Sequence, residues 1–124
     1  MLQLLAIASG GALGAVLRFL VANGVHAHLP RDFPYGTLTV NILGSLLMGF
    51  LYVMLTERMA VSPELRGVLL VGLLGAFTTF STFSIETVNL LMQAELMRAA
   101  VNILVSVFAC LLATWLGLLL ARNL

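Results

Sequence analysis

Charge is what this chain has least of: six basic and five acidic side chains among 124 residues, 9% of the total, beside 61% hydrophobic residues. Soluble domains carry about 25% charged and about 45–50% apolar residues, so a water-soluble catalytic domain is excluded at the outset. The basic residues never gather into a run and the formal net charge is +1, which leaves no surface for phosphates and no expected nucleic-acid partner. Cysteine is nearly absent as well. The single Cys110 rules out an internal disulfide, and in its apolar run it reads as a packed thiol rather than a redox centre. The two histidines, His26 and His28, fall in one loop. With no paired carboxylates and no metal-ligand spacing, no hydrolytic or redox constellation is expected, and the chain does not read as an enzyme. The amino terminus lacks the charged region and cleavage site of a secretory signal, so it reads as mature structure.

What the chain has instead is length without charge. Uncharged stretches cover residues 1–17, 33–56, 67–85 and 99–121, each close to or above the roughly 18 residues that mark a bilayer crossing. The expected fold is an all-α membrane protein, a single four-helix transmembrane domain over residues 1–124 with spans near 2–25, 36–56, 63–93 and 99–121. The connections are too short for an extramembrane module, so function must lie inside the bilayer. Two prolines and Asp32 mark the turn from His26 to Pro34 as lying outside the hydrocarbon. Ser62-Pro63-Glu64 supplies a cap and first turn for the third span. Glu95 and Arg98 fall in the link before the fourth span, and Arg122 follows it.

Loop arginines usually orient a membrane protein, the cytoplasmic side carrying the excess. Here the side of the termini collects Arg58, Arg66 and Arg122, the other side has Arg31 and Arg98, and Arg18 lies near its end of the first span. Without a bias the chain is expected to insert both ways and to pair as an antiparallel homodimer about an axis in the membrane plane. A single orientation fixed by the first helix or the insertion machinery is the alternative.

The third span holds the least lipid-like residues. Thr78, Thr79, Ser81, Thr82 and Ser84 put five hydroxyls among Phe77, Phe80 and Phe83. Thr78, Ser81 and Ser84 recur every three residues, as do the phenylalanines, so each set forms a slowly drifting stripe on a helix. The rings alone would be ordinary packing; their interleaving with hydroxyls favours a lining. Gly72 and Gly75, followed by Ala76 and the paired threonines, point to a helix broken near its middle. Such backbone is tolerated at depth where it is buried or lines a wet cavity, and its freed carbonyls can hold a cation. Asn41, in Gly36-Thr37-Leu38-Thr39-Val40-Asn41-Ile42-Leu43-Gly44-Ser45, suits either an interhelical hydrogen bond or a pore wall. Gly44, Ser45 and Gly49 read as close-packing positions, and Gly10, Gly14 and Arg18 share one face of the first span. Asn102, Ser106, Cys110 and Thr114 recur every four residues beside a face of Ala109, Ala113 and Gly117. That pattern fits a donor stripe and a packing seam alike, so Thr114 is a secondary candidate. Arg18 either snorkels to the interface or draws anions to a vestibule, and Glu86 sits at the mouth of the polar face or at the interface.

Hydroxyls, an amide and the electropositive edges of aromatic rings all offer partial positive charge. Phe80, Phe83, Ser81, Thr82, Ser84 and Asn41 therefore suit a small, strongly hydrated anion, passed along several weak sites. At these residues the chain resembles the CrcB/Fluc family of bacterial fluoride channels. The resemblance covers nearly all of it: the glycines leading to Arg18-Phe19, GTLTVNILGS from Gly36 to Ser45, and GLLGAFTTFSTFS from Gly72 to Ser84. It implies a dual-topology homodimer in the bacterial cytoplasmic membrane with two antiparallel pores, passive export of fluoride, and a structural sodium ion at the dimer centre. It also implies pore phenylalanines at Phe80 and Phe83, a pore amide at Asn41, and sodium-binding carbonyls at the break, at Gly75 and Thr78. A small multidrug–proton antiporter is the alternative from another class, but it needs a carboxylate deep in the first span, and none is there. A noncatalytic scaffold subunit would account for the small-residue seams but not for the clustered hydroxyls.

Overall fold

The computed structural model describes residues 1–124. Four helical spans, each long and apolar enough to cross a membrane, account for almost the whole chain. The first helix is Leu2–His26 and the second is Tyr35–Val53, prolonged by a π-helical turn, Met54–Arg58. The third span has two halves. Its front half is assembled from Pro63–Arg66, a π-helical Gly67–Leu74 and Gly75–Phe77; its rear half is Phe80–Met92. The fourth helix is Leu96–Arg122.

Hydropathy finds the spans and misplaces some ends, because the ends are fixed by hydrogen bonds that it does not register. The second span runs on to Arg58 rather than stopping near Thr56, its last turn closed by the Met59 amide donating to the Met54 carbonyl at 2.9 Å. The third ends at Met92. There Ala94 takes the left-handed conformation, φ 59°, and the Glu95 amide reaches back to the Leu90 carbonyl at 2.9 Å, a Schellman ending usually given to glycine. The fourth helix starts at Leu96 instead of Ala99, so Arg98 lies in its first turn and not in the link. From there Arg98 pairs with Asp32 at 3.2 Å and Glu95 at 3.4 Å. The third span opens as expected, the Ser62 hydroxyl accepting from the Leu65 amide at 3.2 Å with Pro63 in the first turn.

Two seams of glycine hold the bundle. Without a water-driven force between helices in lipid, close backbone approach supplies the packing. In the first seam Gly10 and Gly14 lie against the carbonyls of Val68 and Leu73, and Gly72 lies against Ile7 of the first helix, so a methyl at any of the three would overlap backbone. In the second, Gly49 meets the Thr114 carbonyl and Gly117 meets that of Leu46. The first helix is thereby fixed to the front half of the third span, and the second helix to the fourth. At one end Arg58 donates to the Ala121 carbonyl at 3.2 Å, and Arg122 holds Glu57 at 3.0 Å. One further close approach sets the site: a methyl on Gly44 would strike the Thr78 side chain and the Phe77 ring. The end of the front half can therefore lie directly on the second helix.

Candidate functional site at the break in the third span

The break is made by two side chains. Thr78 and Thr79 are extended, with ψ of 158° and 120°. Across from them Asn41 grips the Thr79 backbone at both ends: its Oδ1 accepts from the Thr79 amide at 2.8 Å and its Nδ2 donates to the Thr79 carbonyl at 3.0 Å. Thr79 in turn caps the rear half, its hydroxyl accepting from the Thr82 amide at 3.2 Å and donating to the Thr82 hydroxyl at 3.1 Å. In an unbroken helix the Thr79 and Thr82 amides would bond the carbonyls of Gly75 and Thr78. Both amides are taken elsewhere, so these two carbonyls lose their helical partners. Gly75 itself keeps ordinary helical geometry, φ −61° and ψ −39°, and is exposed. The chain thus parts one turn beyond Gly75, at Thr78 and Thr79, and Gly75 contributes a released carbonyl rather than the bend.

Beside the break is a groove of about 390 Å³ between the second helix, the third span and the fourth helix, bringing Asn41, Thr78, Phe80, Phe83, Cys110 and Thr114 together. It contains no charged side chain. The Phe80 and Phe83 rings sit 5.3 Å apart and tilted by 44°. Phe83 is buried, whereas Phe80 is 77% exposed. The Phe83 backbone is tied to the fourth helix: its carbonyl accepts from Thr87 at 2.7 Å, Asn102 donates to Thr87 at 2.9 Å, and Ser106 donates to Asn102 at 3.3 Å. Thr114 turns its hydroxyl to the Cys110 carbonyl of its own helix at 3.0 Å.

The remaining candidates separate from this group. Arg18 and Thr82 share a second cavity of about 400 Å³ with Thr37 and Asn23, and Thr79 lines both this cavity and the groove. Arg18 has no ion pair. Glu86 opens on a third cavity of about 390 Å³ at the end of the bundle, beside His26, Arg31, Asp32 and Arg98. Ser81 is exposed, 3.4 Å from the Thr79 hydroxyl, and Ser84 donates to the Phe80 carbonyl at 2.9 Å; neither lines any of the three. Sequence reasoning gave Thr79 a part in the break but not its capping of the rear half, and left Thr87 without a role. The signal for Thr87 was available in its place four residues after Phe83, the spacing at which a hydroxyl reaches a helical carbonyl.

The family model described as "CrcB-like protein, Camphor Resistance (CrcB)" matches residues 5–118. The chain belongs to the CrcB-like family. Relatives in that family share about half of its residues over nearly all of its length. A protein of Methylococcus capsulatus is 56% identical over 123 residues, 99% of this chain, which spans 54% of that protein's own length. Proteins of Magnetococcus marinus and Geobacter metallireducens are each 50% identical, and this chain covers 98% and 100% of them. All three are called fluoride-specific ion channel FluC. With four membrane-spanning helices, this CrcB-like chain is a multi-pass inner-membrane protein.

Proposed function

We propose that this protein is a fluoride-selective channel that lets fluoride leave the cell down its gradient and so lowers cytoplasmic fluoride. The observation that carries the proposal is the uncharged groove at the break, where an amide, hydroxyls and two phenylalanine rings converge in a chain whose relatives are named fluoride channels. Fluoride is small and strongly hydrated. Donors such as the second Nδ2 hydrogen of Asn41, the hydroxyls of Ser81 and Thr82, and the ring edges of Phe80 and Phe83 replace its shell piecemeal, and Ser84 and Thr114 join them by swinging their hydroxyls off the Phe80 and Cys110 carbonyls. No fixed charge then holds the ion, and several weak contacts let it move on. Arg18, unpaired beside Thr82, draws anions to a vestibule, and Glu86, one turn beyond Thr82 in the rear half, stands at the mouth on the side of Arg31 and Arg98. The antiporter reading has lost its support, since the first helix holds no carboxylate and the relatives carry a channel's name. A channel lowers no chemical barrier, and the chain is not an enzyme.

The working unit in this reading is an antiparallel homodimer. Gly75, Phe80 and Ser81 are exposed in the middle of the third span. A released carbonyl and a hydroxyl at that depth need protein rather than acyl chains against them. A second, oppositely inserted copy supplies it, consistent with arginines divided almost evenly between the two faces. Two copies bring four released carbonyls, from Gly75 and Thr78 of each. All-oxygen donors suit a hard cation, and these residues fit a structural sodium ion, which would contribute the countercharge that fastens the two breaks together.

The test is direct. Purified protein in liposomes loaded with potassium fluoride should release fluoride to an electrode once an ionophore lets potassium follow, while chloride-loaded vesicles stay closed. Equal release of both halides would defeat the selectivity claim.

A further inference from the structure

His26, the last residue of the first helix, does a second job at the start of the next. Its Nε2 accepts a hydrogen bond from the Gly36 amide at 3.1 Å. The ring lies so close that a methyl on Gly36 would sit 2.9 Å from its Cδ2. Gly36 is in the first turn of the second helix, where amides have no helical acceptor. An acceptor Nε2 carries no proton, so the neutral ring holds its hydrogen on Nδ1. That Nδ1 is buried and has no partner. The one other buried side-chain polar atom without a partner is Oε1 of Glu86. Both residues line the cavity at the end of the bundle, so a donor and an acceptor, each unsatisfied, share one space.

We propose that His26 is a proton-sensitive clamp on the second helix: a second proton on the ring breaks its bond to Gly36 and turns it to the Glu86 carboxylate. Imidazolium has no lone pair for the Gly36 amide, and although the carboxyl end of the first helix favours its charge, the amino end of the second helix, which it caps, repels it. The charges facing it come from every neighbouring element. Glu86 of the third span attracts it, and Arg31 of the loop repels it. Asp32 and Arg98 are already paired to each other, Arg98 also to Glu95. Glu86 is the carboxylate left to answer. The consequence for ion flow rests on the fluoride-channel reading. Gly36 lies in the helix that carries Asn41, the residue gripping the break, and Glu86 follows Phe83 by three residues in the rear half. Proton uptake therefore loosens one wall of the groove and draws on the other, and acid slows fluoride.

Two measurements on the full chain test this. In nitrogen-15 histidine spectra at pH 7.5, His26 should carry its proton on Nδ1. Across the range in which imidazoles titrate, the Gly36 amide resonance should shift together with the His26 ring. A proton on Nε2, or a Gly36 amide unmoved while His26 titrates, overturns the clamp. In liposomes, with the leak of protein-free vesicles subtracted, fluoride efflux should fall about fivefold from pH 7.5 to 5.5, the factor expected for the loss of one helix cap. His26→Gln offers Gly36 an acceptor that does not titrate; it should match the parent at pH 7.5 and lose the acid fall. The same fall in His26→Gln overturns the proposal. Fluoride efflux absent at every pH would sink the channel reading alone, with the ring and amide spectra still deciding the clamp.

Discussion

Replacing Asn41 with alanine removes both bonds that hold Thr79 out of the helix, at 2.8 and 3.0 Å. Each such bond is worth about 0.5–1.5 kcal/mol net, and polar contacts between helices in lipid average about 0.6 kcal/mol. The two together come to about 1–3 kcal/mol. The variant can recover part of this by returning the Thr79 amide to the Gly75 carbonyl, which straightens the third span and withdraws that carbonyl from its exposed position. The expected result is a modest loss of stability with a large loss of transport, at least tenfold, since about 1.4 kcal/mol already corresponds to a factor of ten. Unfolding in mixed micelles, followed through the fluorescence of the lone tryptophan, Trp115, measures the first, and the fluoride electrode measures the second. Ser45→Ala, one turn along the same helix at a hydroxyl with no hydrogen bond, is the stability control. If Asn41→Ala costs less than about 0.5 kcal/mol and conducts like the parent, the amide does not maintain the break, and the account of the released carbonyls is wrong.

Phe80→Ile should cut fluoride efflux more than tenfold while leaving the unfolding midpoint in place, because the ring is 77% exposed and contributes little to the fold of one chain; undiminished efflux would return the ring to packing. Thr87→Val removes the donor to the Phe83 carbonyl and strands the Asn102 amide, so the unfolding titration should show a loss of about 1–3 kcal/mol, with Ser106→Ala milder. Ala94→Gly relieves the positive φ and should raise stability by about 0.5–1 kcal/mol in the same titration. A decrease would mean that Ala94 packs usefully where it stands.

The spans were legible because eleven charges in 124 residues leave few ways to draw four crossings. The seams were legible too: Gly10 and Gly14 recur one turn apart, as do Ala113 and Gly117, and spacing is what packing obeys. The break was half legible. Glycines and paired threonines announced it, but its exact place depends on Asn41, 38 residues before Thr79, a partnership that no local pattern records. The same limit applies to Asn41 itself, for which an interhelical bond and a place on the groove wall stood as alternatives. It has both, because one side of its amide grips Thr79 and its body still faces the groove. The early start of the fourth helix was hidden by Glu95 and Arg98, which read as loop residues until Asp32 is seen to neutralise the arginine. Thr82 and Glu86 share a rear half with Phe83 yet open on other cavities, since a helix presents its faces to different neighbours and composition does not say which.

The grip of Asn41 on Thr79 also bears on how the chain is made. The third span is 30 residues long, about 45 Å if it were one straight rod, well over the thickness of the hydrocarbon it must cross. The second helix leaves the ribosome first, so its amide is already in the bilayer when the longer segment arrives. The late segment thus meets, already synthesised, the amide that breaks it, and a chain with these two spans emerging in the opposite order would have to bury an unbroken rod before anything was there to bend it.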